Sequence, residues 1–383
     1  MKNKRNFLTI LIFILIITLN NYSFADEPTV YSPSAILIDS NSGNILYEKN
    51  SNSPMYPAST TKVLTAIIAI ETCDLDDIAI ASENAINSIK SGYTNAKIQV
   101  GEALTIKDLL YALLLNSANE AANVIAEYVG GTTENFANIM NEKALSLGCT
   151  NTHFVNANGI HNDNHYTTAS DLANITRYCM KNETFRKIVS TLNYTLPSTE
   201  QYPSNDRVLK NSNSLLIEGH KFYYPYAIGV KTGFTTQAKN CLIASSQKDG
   251  LELISVVLHA ETTDDGRGAR YVDTINMLEY GNNNYKSYPI IEKDKVIKTI
   301  TVPNASAETS KLDIVPKETL RLTLPINENA QKTNETISIN DNISAPIQKG
   351  DILGKISYIV NGDTYSTDLV ASSDVSIISP SDV

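Results

Sequence analysis

The sequence predicts an α+β protein in which helices pack on an antiparallel sheet and a small all-β domain follows. Strand patterns come first, a block of helical patterns comes next, and strands and one helix then return. From about Asn284 onwards, short β-rich runs separated by Pro, Gly and Asn replace this mixture. The length of 383 residues exceeds that of one ordinary core, which also favours two domains.

Local patterns place the elements of the first unit. Two strands joined by an NSG turn come first, and a helical repeat of apolar residues begins at Ser59. Two helical segments follow, separated by a polar break at residues 116–119. We expect the next helix to be capped by Thr132 or Thr133 and a further helix to open at Ser170.

The strands that return are marked by apolar runs between turn signals. The predicted strands are YAIGVKTGFT, NCLIASSQKDG and LELISVVLHA, and KDG is typical of a hairpin turn between the last two. The helical pattern GARYVDTINMLEYG then closes the first unit. In the β-rich region, NGD at Asn361–Asp363 is a second hairpin signal.

The first 25 residues have the pattern of a signal peptide. Lys2, Lys4 and Arg5 precede the apolar run FLTILIFILIITL, and small residues stand at Ser23–Ala25, where a signal peptidase cleaves. The apolar run is short for a membrane span, so an uncleaved anchor is the weaker alternative. We therefore expect residues 1–25 to be removed and the protein to act outside the cytoplasm.

Charge and cysteine content exclude some functions. The net charge of -10 lacks the basic footprint of a nucleic-acid-binding protein. No two cysteines form a CxxC pair, which argues against zinc-ribbon and thioredoxin-like sites. Export permits disulfides, but the spacing does not select any pair, and buried free thiols are at least as well supported. The four cysteines are Cys73, Cys149, Cys179 and Cys241.

The stretch PASTTK contains the first of three motifs that carry candidate chemistry. Ser59 and Lys62 are three residues apart, so they share one face of a helix. A serine hydroxyl is a poor nucleophile until a base takes its proton. An amine can be that base when burial or a second cation lowers its pKa. Alone, the motif also fits a capped helix with a solvated lysine, which is the simpler interpretation.

Two further motifs are also weak when each is taken alone. Ser117 and Asn119 lie in the polar break, where they can cap a helix or relay a proton and hold an amide. Lys231, Thr232 and Gly233 lie in a predicted strand, where the lysine is either a solvated edge residue or a carboxylate ligand. The threonine would add a hydroxyl, and the glycine would leave room for a substrate along the strand.

Together, SxxK, SxN and KTG in this order are the signature of penicillin-binding proteins and β-lactamases. The sequence resembles the low-molecular-mass penicillin-binding proteins that act as D-alanyl-D-alanine carboxypeptidases, serine peptidase family S11. The likeness extends through YPASTTKVLTA, LLLNSANEAANVIAEYVGG and GVKTGFTTQAKNCLIAS, and the C-terminal APIQKGDILGKI is similar to the family's β-rich domain. It implies a penicillin-binding, β-lactamase-like transpeptidase fold for residues 26–283 and a β-rich domain for residues 284–383.

The resemblance also implies the catalytic residues. Ser59 would be the acylated nucleophile, Lys62 its general base, and Ser117 part of the proton relay to the leaving D-alanine. The substrate would be a peptidoglycan stem pentapeptide ending in D-Ala-D-Ala. β-Lactams, which mimic that terminus, would acylate the same serine. No cofactor and no metal is expected.

The remaining site residues would bind the substrate. Asn119 would hold the amide of the acyl side chain, and Lys231 and Thr232 would bind the terminal carboxylate. Gly233 would let the peptide approach the strand. The main-chain N–H of Phe234, with that of the nucleophile, would form the oxyanion hole.

The sequence departs from the family pattern in two places. Some members carry an arginine before the KTG strand, and here Ser212 stands at that position. Many members end in an amphipathic helix that docks on the membrane, whereas this chain ends in SIISPSDV with no basic amphipathic stretch. Release into the wall space and a truncated sequence are the two alternatives, so membrane association stays open.

Four other functions use some of the same residues or motifs. His161 and His165 form an HxxxH pattern, but their Asn-rich surroundings favour a loop and a structural role for His165 over a metal site. A class A β-lactamase would carry SDN and a loop glutamate, whereas Ala118 stands here and residues 156–171 contain no glutamate. A D,D-endopeptidase would use the same machinery. A catalytically silent wall-binding scaffold would not need Ser59 and Lys62 intact.

Overall fold

A computed structural model describes residues 27–261 and 268–378, so the expected signal peptide at residues 1–25 lies outside the described residues. Helices and strands alternate in the first part of the chain, and strands alone make up the last part. The helices are α1 (Lys62–Thr72), α2 (Glu83–Asn87), α3 (Ile106–Leu114), α4 (Asn119–Gly130), α5 (Thr133–Ser146), α6 (Ala169–Cys179), α7 (Glu183–Ser190) and α8 (Gly268–Asn284). The strands are β1 (Ser34–Asp39), β2 (Ile45–Lys49), β3 (Ile78–Ile80), β4 (Ala103–Thr105), β5 (Asn193–Thr195), β6 (Val208–Lys210), β7 (Ala227–Thr235), β8 (Lys239–Lys248), β9 (Leu251–Ala260), β10 (Tyr285–Ile291), β11 (Lys298–Thr301), β12 (Lys311–Pro316), β13 (Leu320–Pro325), β14 (Lys332–Ile339), β15 (Ile352–Val360) and β16 (Asp363–Ala371).

A five-stranded antiparallel sheet in the order β2-β1-β9-β8-β7 forms the centre of the first part. Both faces of this sheet pack against other elements. Successive side chains along a strand point to opposite faces, so one strand contributes to both contacts. Ile36 and Ile38 of β1 belong to the apolar core shared with α1 and α3 to α7, whereas Leu37 points into a second core with α8. Strand β7 is one edge of this sheet, so its outer side is unpaired within it.

The predicted turns and caps agree with the structure, with one exception. The KDG turn joins β8 to β9, and the Thr132 hydroxyl caps α5 by accepting a hydrogen bond from the Asn135 N–H at 3.0 Å. The prediction that α6 opens at Ser170 is wrong. Thr168 is the cap, because its hydroxyl accepts from the Asp171 N–H at 3.0 Å, and this places Ser170 inside the first turn.

The C-terminal part is all β and follows α8 without a linker, since β10 starts at Tyr285. Strands β11, β12, β16, β15 and β14 form a second five-stranded sheet, and β10 pairs with β13. This part has its own apolar core, which includes Ile314, Leu322 and Leu369. Asn361 carries β15 into β16 with a positive φ of 52°, as the predicted NGD hairpin requires.

Within the described residues, every helix is too short or too polar to span a bilayer. All four cysteines carry free thiols. Three of them (Cys149, Cys179 and Cys241) are buried, and Cys73 is half-buried.

Candidate active site

The nucleophile candidate lies on a short 3₁₀ turn rather than on the helix itself. This turn, Ala58–Thr61, leads directly into α1 at Lys62. Ala58 has a φ of +49°, a conformation that non-glycine residues rarely adopt and that the surrounding packing must hold. The packing is close, because a Cβ on Gly159 would lie 1.9 Å from the Ala58 carbonyl oxygen. The turn leaves Ser59 half-buried beside the lysine.

Lys62 reaches Ser59 from a fully buried position. Its Nζ lies 3.0 Å from the Ser59 Oγ and 2.9 Å from the Asn119 Oδ1, and it also contacts the main-chain oxygen of Asn158. A neutral amine has two N–H groups and one lone pair. Because two carbonyl oxygens accept the two N–H groups, the lone pair is left facing the serine hydroxyl. This is the arrangement that a general base requires.

The electrostatic surroundings of Lys62 disfavour the charged form of its amine. Burial lowers the pKa of Lys62 well below its usual value, and the nearby charge of Lys231 lowers it further. The Glu120 carboxylate acts in the opposite direction and raises it. The second cation expected from the sequence therefore contributes, but burial is the larger cause.

The SxN residues occupy the break between α3 and α4. Ser117 is half-buried with a φ of +61°, and no hydrogen bond joins it to Ser59 or Lys62 in the part of the chain that is described. Asn119 begins α4 and uses both ends of its amide, accepting from Lys62 and donating to the Thr94 carbonyl oxygen at 2.9 Å. In this state, therefore, Asn119 orients the lysine.

The KTG residues line the edge strand β7. Lys231 is buried and donates to the main-chain oxygen of Thr232 at 3.0 Å. Burial lowers the pKa of Lys231 to about 7, and the charge of Arg270 contributes to the decrease. The Oγ1 of Thr232 lies 2.7 Å from the Ser212 Oγ, so these two residues form a hydroxyl pair beside the strand.

Gly233 is required by the close approach of the nucleophile turn. A Cβ at this position would lie 3.1 Å from the Pro57 carbonyl oxygen and 3.1 Å from the Ser59 nitrogen. The absent side chain therefore makes room for the turn, and the room expected for a substrate along this strand stays a prediction. The next residue, Phe234, is 49% exposed at the end of the strand. Its main-chain nitrogen belongs to the residue directly after Gly233, where the strand contacts the turn.

Comparison with known proteins assigns the family. The family description of peptidase S11, D-alanyl-D-alanine carboxypeptidase, matches residues 21–262. The C-terminal domain of penicillin-binding protein 5 matches residues 285–376. The chain belongs to the S11 family. The fold and the DD-peptidase function expected from the sequence are thereby confirmed.

Relatives and solved structures agree with this assignment. D-alanyl-D-alanine carboxypeptidase DacF of Bacillus subtilis is 30% identical over 97% of this chain and 94% of its own length. A carboxypeptidase of Streptomyces sp. strain K15 is 31% identical over 67% of this chain and 88% of its own. Penicillin-binding protein 5 of Haemophilus influenzae has a TM-score of 0.66 at 25% identity, covering 91% of this chain and 98% of that one.

Three S11 site residues carried no sequence signal of their own. Arg270 of α8 donates from Nη1 to the Gly233 carbonyl oxygen at 3.0 Å, which ties the helix to the KTG strand. Asn158 supplies the main-chain acceptor for Lys62. Glu120 accepts from the Ala96 N–H at 2.6 Å, and its Oε2 has no partner among the described residues. Of these three residues, Glu120 alone could have been suspected from the sequence, because it directly follows the SxN motif.

His165 has the structural role that the sequence predicts for it. This side chain is buried; its Nδ1 accepts from the Val155 N–H at 3.1 Å and its Nε2 lies 2.8 Å from the Thr61 Oγ1. The Nε2 therefore carries the proton and donates it. Burial lowers the pKa of His165 to about 3, so the ring stays neutral and supports the nucleophile turn. Residues 27–261 and 268–378 contain no group of three or more candidate metal ligands.

Proposed function

We propose that this S11 protein removes the terminal D-alanine from peptidoglycan stem pentapeptides through an acyl-enzyme on Ser59. The observation that carries the proposal is the Lys62 Nζ, which lies 3.0 Å from the Ser59 Oγ and also contacts the oxygens of Asn119 and Asn158. In the neutral amine these two oxygens take the two N–H groups and leave the lone pair for the serine. Ser59 Oγ attacks the carbonyl carbon of the penultimate D-alanine as Lys62 takes the hydroxyl proton. The peptide C–N bond then breaks, and the departing amine receives a proton through Ser117.

Water completes the reaction. It attacks the ester carbonyl, the C–Oγ bond breaks, and the proton returns to Ser59, leaving a tetrapeptide. The negative charge on the carbonyl oxygen in both steps would be stabilised by the main-chain N–H groups of Ser59 and Phe234. Contact between Gly233 and the nucleophile turn supports this pairing, because a Gly233 Cβ would lie 3.1 Å from the Ser59 nitrogen and Phe234 is the next residue.

The leaving D-alanine carries a carboxylate, and the KTG edge offers groups that match it. Lys231 supplies positive charge, and the Thr232 and Ser212 hydroxyls supply hydrogen bonds. Asn119 would release Thr94 to hold the amide of the acyl side chain. β-Lactams present the same carboxylate beside a reactive carbonyl, so they are expected to acylate Ser59.

The site of action follows from the substrate. Peptidoglycan lies outside the cytoplasm, and the signal-peptide pattern at residues 1–25 supports export. We place the enzyme in the wall space or at the outer face of the membrane. The domains proposed are residues 26–283 for catalysis and residues 284–383 for the β-rich part.

Release of D-alanine from a synthetic stem pentapeptide tests the proposal. The wild type is expected to release D-alanine, and Ser59→Ala is expected to release none. Equal release from both proteins would overturn the assignment of Ser59, and no release from either would favour the scaffold. A cross-linked peptide in the same assay tests the D,D-endopeptidase alternative.

A further inference from the structure

A groove in the C-terminal part of the chain has the size of a small-molecule site. Its volume is about 710 Å³, within the range of about 300–1,000 Å³ that ligand pockets occupy. Four pieces of the chain line it: the segment that joins β10 to β11, the strands β12 and β16, and the turn before β15. We call it the β-domain groove, and the lining residues that matter below are Lys293, Asp294, Val315, Lys349 and Val370.

The floor of the β-domain groove is apolar. Val315 of β12 and Val370 of β16 are direct partners in the second five-stranded sheet, and both are buried. Their neighbours Ile314 and Leu369 belong to the apolar core of this part of the chain. Successive side chains along a strand point to opposite faces, so the two valines face the groove rather than that core. They offer a ligand an apolar surface.

Hydrogen bonds from main-chain N–H groups hold two of the lining segments in place. In the segment between β10 and β11, the Lys293 N–H donates to the Thr319 Oγ1 at 3.0 Å. In the turn before β15, the N–H of Gly350, next to Lys349, donates to the Ala371 carbonyl oxygen at 2.9 Å. The groove is thus formed before a ligand arrives, which reduces the cost of ordering it on binding.

The groove contains two ammonium groups and one carboxylate that have no partner among residues 27–261 and 268–378. The ammonium groups belong to Lys293 and Lys349, and the carboxylate belongs to Asp294. The other charged lining residues are already engaged, since Lys317 lies 3.7 Å from a carboxylate of β16 and Asp313 accepts a threonine hydroxyl. The groove therefore suits a ligand that has two acidic groups, one amine and a small apolar part.

We propose that the β-domain groove binds a second stem peptide of the peptidoglycan polymer on which the enzyme acts. The inference rests on the proposed function, which supplies the polymer. A stem peptide carries two carboxylates, an amine on its diamino residue and the methyl groups of alanine, and each of these matches a group in the groove. A phosphodiester polymer matches less well, because its negative charges would repel the Asp294 carboxylate.

Binding in the groove would act together with binding at the active site. Ser59 lies in the first part of the chain and the groove lies in the C-terminal part, so the two sites would hold different stem peptides. When two sites on one protein bind the same polymer, the second contact becomes intramolecular and raises the overall affinity. The groove would thereby keep the enzyme on the polymer between turnovers.

Sedimentation with insoluble peptidoglycan tests this inference. The full chain carries Ser59→Ala, which prevents acylation, and the peptidoglycan is first freed of phosphate polymers. In this background, Lys293→Ala/Lys349→Ala is expected to bind about twofold to thirtyfold more weakly, as the loss of two exposed ion pairs predicts. Lys298→Ala/Lys355→Ala is the matched control, because it removes the same charge from exposed lysines outside the groove, and it should bind like its parent. Undiminished binding by Lys293→Ala/Lys349→Ala would overturn the inference.

Two further materials identify the ligand. On glycan strands whose stem peptides have been removed by an amidase, Lys293→Ala/Lys349→Ala and its parent should bind equally. A difference that persists there, or one that appears only on walls that keep their phosphate polymers, would overturn the stem peptide as the ligand. Asp294→Asn should bind up to about fivefold more weakly than its parent to peptidoglycan with free amines, and equally after the amines are acetylated. Equal binding to both materials would contradict the amine contact.

Release of D-alanine separates this inference from the proposed function. With Ser59 intact, Lys293→Ala/Lys349→Ala should cleave a soluble pentapeptide with the wild-type kcat/KM but release D-alanine from polymeric peptidoglycan more slowly than the wild type. Equal rates on the polymer would overturn the groove assignment alone. Failure of the wild type to cleave the soluble pentapeptide would instead overturn the proposed function, while sedimentation would still report on the groove.

Discussion

Replacing Gly233 by alanine tests how closely the KTG strand supports the nucleophile. The new methyl would lie 3.1 Å from the Ser59 nitrogen, 3.1 Å from the Pro57 oxygen and 3.2 Å from the Ala58 Cβ. Two of these neighbours are backbone atoms, so the strain is relieved by separating strand and turn. Overpacking of this kind costs about 1–3 kcal/mol. If the same free energy is added to the acylation barrier, the rate falls about 5-fold to 150-fold.

Larger losses would mean that one oxyanion donor is lost outright, which costs about 10²–10³ in rate. The assay is the second-order rate of acylation by a fluorescent penicillin, with the free energy of unfolding measured in parallel. Gly281→Ala is the matched control, since the three atoms nearest to its methyl are ends of leucine side chains, at 2.7 and 3.4 Å from Leu253 and 3.1 Å from Leu37, on the sheet face under α8. Gly281→Ala should acylate at the wild-type rate. A wild-type acylation rate in Gly233→Ala would refute the reasoning.

Three further predictions concern the charges of the site. Lys231→Ala should slow acylation by a labelled penicillin, because carboxylate attraction is lost; unchanged labelling would contradict this. Since the pKa of Lys231 is about 7, the free enzyme loses this positive charge as pH rises through 7. KM for a carboxylate-ended peptide should therefore rise above pH 7, while KM for the corresponding C-terminal amide stays flat; parallel profiles would count against it. Glu120→Gln should move the acid limb of the acylation profile to lower pH, because the carboxylate raises the pKa of Lys62; an unmoved limb would show that Glu120 does not act on the base.

Much of the fold follows from local patterns. The long strands β7 to β9 and the helices around the polar break have enough residues for their periodicity to be read, and the NGD and KDG turns fix two hairpins. The three-residue strands β3 to β6 and the short helix α2 carry no such periodicity, and the sequence does not predict them. They form because partners distant in the chain complete them.

The site residues also divide into those that the sequence predicts and those that it does not. Ser59, Lys62 and Lys231 are recognisable because motif spacing carries their chemistry. The Asn158 oxygen and Arg270 are not recognisable, because they act through contacts that only the folded chain creates, across 96 residues to Lys62 and 37 residues to Gly233. Such contacts leave no periodic or spacing signal in a single sequence.

Asn119 illustrates a different limit. Its residue type suggests a substrate amide ligand, yet in the structure both ends of its amide are engaged within the protein. Sequence gives the donor and acceptor groups of a side chain, but not which partner they select. The two roles are compatible if substrate replaces Thr94 and leaves the contact with Lys62 in place.

The central claim is that a neutral Lys62 amine takes the proton of Ser59. The most direct measurement is the rate of Ser59 acylation by penicillin as a function of pH, with the adduct located by peptide mass spectrometry. We predict a wild-type rate that rises to a plateau with a midpoint well below the ordinary lysine pKa of about 10.4, and a Lys62→Ala variant that labels far more slowly at every pH. Wild-type labelling of Ser59 in Lys62→Ala, or an adduct on another residue, would contradict it.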